Sequence, residues 1–255
     1  MNPRYFDSHA HYDDARFDGD RDELLATLPE AGICGVVNPG SDLTSSRTAL
    51  QLAEVYPYVW AAAGVHPHSA SDGTEGIAEL LDHPRCVAVG EIGLDYHYDT
   101  SPREAQRAVF REMMALAAEC DLPVIIHDRE AHADCMDIVR AFPTVRGVFH
   151  SYSGAWEQAA ELVALGYCLS FTGIVTFPKT QRALEVAARL PADRILLETD
   201  APYLAPVPVR GRRNDSRHLP HIAAVLAAAR GVGVEELVTT ARDNTCRLFG
   251  VEVGG

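Results

Sequence analysis

The 255-residue chain carries 22 Lys and Arg against 36 Asp and Glu, a formal net charge of -14. That balance excludes broad adhesion to a nucleic-acid backbone, which needs basic surface, but not a phosphate-bearing substrate, because bound cations can supply positive charge locally. With 47% hydrophobic residues and no apolar run near the ~18–20 residues of a membrane helix, a soluble protein without membrane association is expected. The opening Met1-Asn2-Pro3-Arg4-Tyr5-Phe6 lacks the apolar core of a signal peptide. Six cysteines, none in a CxxC pair, read as reduced thiols. A cytoplasmic monomer is the expectation.

Along the chain, short apolar runs alternate with helical patterns. The predicted strands are Tyr5–His9, Gly35–Asn38, Val59–Val65, Val87–Gly90, Val124–His127, Gly147–His150, Cys168–Phe171 and Ile195–Glu198. Helical spacing marks Asp20–Ala31, Pro102–Glu119, Ala155–Leu165, Leu219–Arg230 and Val234–Phe249. Eight strands alternating with helices favour a parallel TIM (β/α)8 barrel, an α/β fold, over residues 1–255 as a single domain. An open doubly wound sheet is the rival, but no GxGxxG follows the first strand. The longest irregular stretch, Ala201–Arg217, carries prolines and reads as a lid or rim loop.

Polar residues recur where these strands end, which in such a barrel is where the chemistry sits. Asp7, His9 and His11 alternate along the first strand and so share a side. Two imidazoles at that spacing can grip one divalent ion, with Asp7 orienting a ring through its other nitrogen. Glu91 follows the fourth strand, and its two oxygens can bridge two metals. His127 and His150 end adjacent strands. Asp200, in Glu198-Thr199-Asp200, can bind a metal and accept a proton from water. Glu198 is either a supporting group or purely structural. Histidines and carboxylates together fit two divalent ions, Mg²⁺, Mn²⁺ or Zn²⁺, and two metals ~3.5–4 Å apart suit hydrolytic displacement at phosphorus.

Around these lie candidate substrate contacts. His66, in Gly64-Val65-His66-Pro67-His68, can donate to a phosphate, and Arg129 can bind one or pair with an acid. Arg210-Gly211-Arg212-Arg213, after Asp200, reads as a clamp or as solvated loop, with Arg212 and Arg213 as its contacts. His68, His83, His97, His132, His218 and His221 read as surface or packing residues.

In this order, Phe6-Asp7-Ser8-His9-Ala10-His11, Gly64-Val65-His66-Pro67, Gly90-Glu91-Ile92-Gly93-Leu94-Asp95-Tyr96, Pro123-Val124-Ile125-Ile126-His127 and Glu198-Thr199-Asp200-Ala201-Pro202-Tyr203 form a specific set. The chain closely resembles the TatD-type metal-dependent deoxyribonucleases of the amidohydrolase superfamily. The resemblance implies a TIM barrel, with His9, His11, Glu91 and Asp200 on one metal and Glu91, His127 and His150 on the other. Related barrels often bridge their metals with a carboxylated lysine. The one lysine here, Lys179, lies far from the fourth strand, so Glu91 must serve. Two positions depart from the family pattern. Ser151 follows His150 where a cysteine is usual, and Asp128 follows His127 where serine or alanine is usual. An extra carboxylate at Asp128 is expected to alter metal preference.

The expected function is divalent-metal-dependent hydrolysis of DNA phosphodiesters. As the resemblance implies, it proceeds from a 3′ end, on single strands or frayed ends, with Asp200 and Glu91 catalytic. The alternative is an amidohydrolase-type enzyme cleaving an amide or an ester such as an aminoacyl-tRNA.

Overall fold

Strand and helix alternate because each β-branched, doubly buried run must be covered by a helix with one apolar stripe. In the computed structural model, which describes residues 4–254, the order is β1 (Tyr5–Asp7), α1 (Arg21–Thr27), β2 (Ile33–Pro39), α2 (Leu43–Val55), β3 (Val59–Ala63) and α3 (Ile77–Leu81). There follow β4 (Cys86–Asp95), α4 (Arg103–Cys120), β5 (Val124–Arg129), α5 (His132–Arg140), β6 (Gly147–Phe149) and α6 (Trp156–Ala164). The last elements are β7 (Cys168–Phe171), α7 (Gln181–Arg189), β8 (Ile195–Leu197), α8 (Leu219–Arg230) and α9 (Val234–Phe249). The strands form one sheet in the order β1-β2-β3-β4-β5-β6-β7-β8, the sequential parallel order of a TIM (β/α)8 fold. No helix of the described residues is long and apolar enough to cross a membrane. All six cysteines are free thiols.

Contacts group the chain into two compact units, Asn38–His150 and the segments on either side of it. In the flanking unit, β7 and β8 pair in parallel, as do β1 and β2. The backbone beyond β1 runs along the end of β8: Ser8 N–H donates to Leu197 O at 3.0 Å, Asp200 N–H to His9 O at 2.9 Å and His11 N–H to Ala201 O at 2.7 Å. The first and eighth strands are thus neighbours, as a closed barrel requires. Tyr12, Phe17, Tyr167 and Phe171 fill this unit's core. Asn244 of α9 sends its amide to Ala192 O and Ile195 O, fixing the start of β8.

In the Asn38–His150 unit, β4 spans 10 residues, well beyond the predicted Val87–Gly90, running on through Glu91 to Asp95. The apolar run stops at Gly90, but the strand goes on because its partner β5 continues as well. Gly93 pairs with His127, Leu94 with Asp128 and Asp95 with Arg129. At Gly93, φ is +136° and a Cβ would lie 2.0 Å from the His127 carbonyl oxygen, so only glycine permits this approach. Helices α2, α3, α5 and α7 add to those marked in the sequence.

Gln106, buried on α4, holds the far end of β4. Its Oε1 accepts from Asp95 N–H at 2.9 Å, while its Nε2 donates to Asp95 O at 3.2 Å and Ser101 O at 2.8 Å. We predict that Gln106→Ala, which strands these buried backbone groups, lowers the unfolding free energy by about 1–3 kcal/mol. Urea titration checks this, and an unchanged midpoint would show that Gln106 does not hold the strand.

Candidate active site

Among the described residues, each unit gathers histidines and carboxylates able to bind a metal. In the Asn38–His150 unit, three donor atoms meet from three strands. His127 Nδ1 lies 2.9 Å from Glu91 Oε1 and 3.1 Å from His150 Nε2, and His150 Nε2 lies 2.8 Å from Glu91 Oε1. Two ligand atoms each ~2.1 Å from a shared ion and ~90° apart are themselves ~3 Å apart. The triangle has that size, so the residues fit a metal ion. His66 joins them, with Nε2 3.5 Å from Glu91 Oε1, and His66, Glu91 and His127 form a metal-capable group.

The other ring nitrogen of His127 explains its orientation. Nε2 faces Asp95 Oδ2 at 3.3 Å, so a proton held there leaves the Nδ1 lone pair for the cluster. Asp95 is wholly buried and shared: Oδ2 also meets His68 Nε2 at 3.0 Å, while Oδ1 accepts from His97 N–H and Tyr98 N–H. Burial would raise its pKa, but the bonds from His127, Tyr98 and His68 outweigh this and hold the carboxyl well below its usual range. For His127 burial opposes protonation, and the flanking Asp95 and Glu91 prevail, raising its pKa. A ring between two carboxylates marks a place that draws positive charge. His66 differs. Burial pushes it down to about 4, only partly offset by Glu91, so it is a neutral imidazole. Its Nδ1 accepts from His68 N–H at 3.1 Å, which puts its proton on Nε2.

In the flanking unit, His9 Nε2 and His11 Nε2 lie 3.0 Å apart, and Asp200 Oδ1 lies 3.7 and 3.6 Å from them. The hydrogen bonds between the ends of β1 and β8 assemble this group. Asp200 takes φ +56°, a left-handed conformation that aspartate tolerates better than most residues. Asp7, expected to orient a histidine ring, is engaged by hydroxyls and a backbone amide. Its oxygens accept from Thr199 N–H at 2.9 Å, Thr199 Oγ1 at 2.6 Å and Ser216 Oγ at 2.6 Å, pinning the turn that carries Asp200. Burial, with the nearby charge of Glu198, raises the Asp7 pKa to about 7 against the pull of these donors. Glu198 is buried and accepts from Ser151 N–H at 2.6 Å and Ser8 Oγ at 3.4 Å.

The predicted substrate contacts sort unevenly. Arg213 is committed: it makes a two-pronged bond to Asp20 at 2.7 and 2.6 Å and stacks over Phe17. Together with Asn214, which donates to Thr199 O at 2.9 Å, it ties the 201–217 loop to its surroundings. Arg212 is exposed, and Arg129, also exposed, lies over the ring of Tyr98. Asp128 turns from the cluster, because alternation along β5 sends it opposite to His127, and it bonds His132 Nδ1 at 2.8 Å. The expected effect of Asp128 on metal preference therefore has no geometric basis. Asp95 and His68 went unrecognised in the sequence. For Asp95 a signal was present, since Glu91, Gly93 and Asp95 alternate on one face of a strand.

Losing the charge that orients a metal-binding ring typically costs 10–100-fold in affinity or activity. Asp95→Asn should therefore weaken divalent-metal binding by roughly 10–100-fold with the fold retained. Metal titration by calorimetry alongside a circular dichroism melt measures both, and wild-type affinity would remove Asp95 from this role.

The family model described as TatD related DNase matches residues 6–250. The chain is 38% identical over 250 residues to the metal-dependent hydrolase YabD of Bacillus subtilis, covering 96% of this chain and 98% of that one. It is likewise 38% identical over 256 residues to the 3'-5' ssDNA/RNA exonuclease TatD of Pantoea vagans, covering 96% and 98%. The crystal structure of YJJV, a TatD homologue from Escherichia coli, matches with a TM-score of 0.92 at 32% identity over 99% of this chain and 100% of that one. With donors of this chemistry on and just beyond the strands and similarity along nearly its whole length, the chain belongs to the TatD-related DNase family of metal-dependent hydrolases.

Proposed function

We propose that the chain is a divalent-metal-dependent exonuclease that hydrolyses phosphodiester bonds of single-stranded DNA, and of RNA, from the 3′ end. The observation that carries this is the triangle of Glu91, His127 and His150 donor atoms, 2.8–3.1 Å on each side. Relatives named as 3'-5' ssDNA/RNA exonucleases, matched along almost their full length, supply the substrate class. They extend the DNA expected from the sequence to RNA, and they favour a phosphodiester over an amide or ester.

In this reading His9, His11 and Asp200 would hold one ion, and Glu91, His127 and His150 would hold a second. A divalent ion supplies Lewis acidity toward a phosphoryl oxygen and eases deprotonation of a water. Asp200 takes that proton on a carboxylate oxygen. His66, neutral with its hydrogen on Nε2, donates to a phosphate oxygen without adding charge. Asp95 keeps His127 from turning. Arg212 and Arg129 meet phosphates on the strand beyond the scissile bond, while Arg213 holds the loop that presents Arg212.

Two predictions test the reading. Exhaustive chelation should abolish cleavage of end-labelled single-stranded DNA and RNA, and Mg²⁺, Mn²⁺ or Zn²⁺ should restore it. Asp200→Asn, which keeps an oxygen ligand but cannot take the proton, should lower kcat by ~10²–10⁴-fold with metal content measured in the same sample. Turnover in metal-free protein, or a rate within a few-fold of wild type for Asp200→Asn, would sink the metal and base roles respectively. Separately, Arg212→Ala should raise KM several-fold and leave kcat nearly unchanged, as for a contact made equally in ground and transition states. Arg213→Ala should instead lower thermal stability, its partner being Asp20. Steady-state kinetics and melting curves distinguish the two arginines.

A further inference from the structure

Tyr98 is 60% exposed, although it sits in the polar network that orients His127. Its backbone N–H donates to Asp95 Oδ1 at 2.8 Å, the same carboxylate whose other oxygen faces His127 Nε2 at 3.3 Å. Its ring meets His68 edge-on, with centroids 5.5 Å apart, and His97 at 4.9 Å. His68 in turn meets His66 at 4.4 Å, and His66 meets His127 at 4.6 Å. A continuous row of rings therefore leads from a metal-capable histidine to an exposed tyrosine. The Arg129 guanidinium lies 4.7 Å from the Tyr98 ring centroid. The exposed ring itself adds little to the fold, since a large aromatic side chain left mostly in water buries little apolar area.

Tyr203, the other exposed tyrosine near a donor cluster, is more engaged. Its hydroxyl donates to Asp14, and Arg16 covers its ring at 4.0 Å. Tyr98 keeps more of its surface available.

We propose that Tyr98 and Arg129 form a nucleotide subsite beside the Glu91–His127–His150 cluster, with Tyr98 stacking one unpaired base and Arg129 pairing with that nucleotide's phosphate. An aromatic face accepts any base, because every base has a π-face, so the subsite is indifferent to sequence. It does require the base to be free of its complement, so it selects single strands or frayed ends. The arginine is well placed for a double role, since its planar group can stack on the ring while its N–H donors face outward to an anion. This inference rests on the nuclease reading above and adds to it the part of the substrate that is gripped.

The test uses metal-loaded full-length protein and single-stranded oligonucleotides in which one of the last three nucleotides at the 3′ end, in turn, is replaced by a tetrahydrofuran abasic analogue. For wild type, one position should raise KM about tenfold on losing its base, the scale of a base–aromatic stack. Tyr98→Ala should raise KM about as much on the fully based strand and show no further loss with the abasic one. Tyr98→Phe, which keeps the ring, should retain the wild-type preference, and all three proteins should melt alike because the side chain is exposed. If wild type degrades the oligonucleotides but Tyr98→Ala shows the same KM and the same abasic penalty, the subsite is wrong and the nuclease reading stands. A wild type indifferent to base removal at all three positions overturns the subsite equally. If wild type degrades no oligonucleotide with any of the three metals, the nuclease reading falls and the subsite with it.

Discussion

The close approach of β4 and β5 at Gly93 is the constraint on which the Glu91 cluster depends. Parallel pairing sets Gly93 opposite His127, and the absence of a side chain lets the His127 carbonyl come to where a Cβ would stand. Glu91 and Asp95 flank that glycine by two residues on either side, so both carboxylates point where His127 points. One backbone register thereby puts an imidazole between two carboxylates, one on each ring nitrogen. Gln106 keeps the end of β4 in place so that Asp95 stays within reach.

The two clusters handle their supporting carboxylates differently. Asp95 is surrounded by imidazoles and backbone N–H groups, which together keep it ionised despite burial. It therefore supplies the negative charge that fixes the His127 proton on the outer nitrogen. Asp7 has only neutral donors, two hydroxyls and backbone amides, and burial with the neighbouring Glu198 charge lifts it to about 7. Its work is mechanical: it ties β1 to the turn before Asp200 through two short bonds from Thr199, and to Ser216 through a third. Charge is useful beside a ring that must hold one tautomer, whereas a hydrogen-bond hub needs only acceptors.

A protein of net charge -14 cannot attract a polyanion globally, so positive charge has to be local. Many of the arginines are spent on the protein itself. Arg213 braces the rim through Asp20, Arg217 is held by Asp215, and Arg21 is held by Asp18 and nearby carbonyls. That economy leaves the clusters and a few exposed guanidiniums to recognise phosphate. It fits capture of a short strand end in place of coating a long duplex.

Much was legible in the residues themselves. Eight apolar runs at regular spacing determine the strand order, because each must be buried on both faces and short connections admit sequential parallel pairing. The recurrence of His9, His11, Glu91, His127, His150 and Asp200 at strand ends was visible because strand ends are marked by where apolar runs stop. What a one-dimensional pattern does not contain is the partner of each polar group. Nothing local distinguishes Asp7 from Asp95, or Arg213 from Arg212. Their roles follow from residues distant in the chain, Ser216 for Asp7, His68 and His127 for Asp95, and Asp20 for Arg213. Even the length of β4 was a tertiary matter, since the apolar run stops at Gly90 and β5 supplies the pairing that carries the strand to Asp95. The sequence by itself determined the elements and the chemistry of the donors; only the tertiary structure decided which donors meet, because side-chain pairing is set by register and packing between segments the chain order keeps apart.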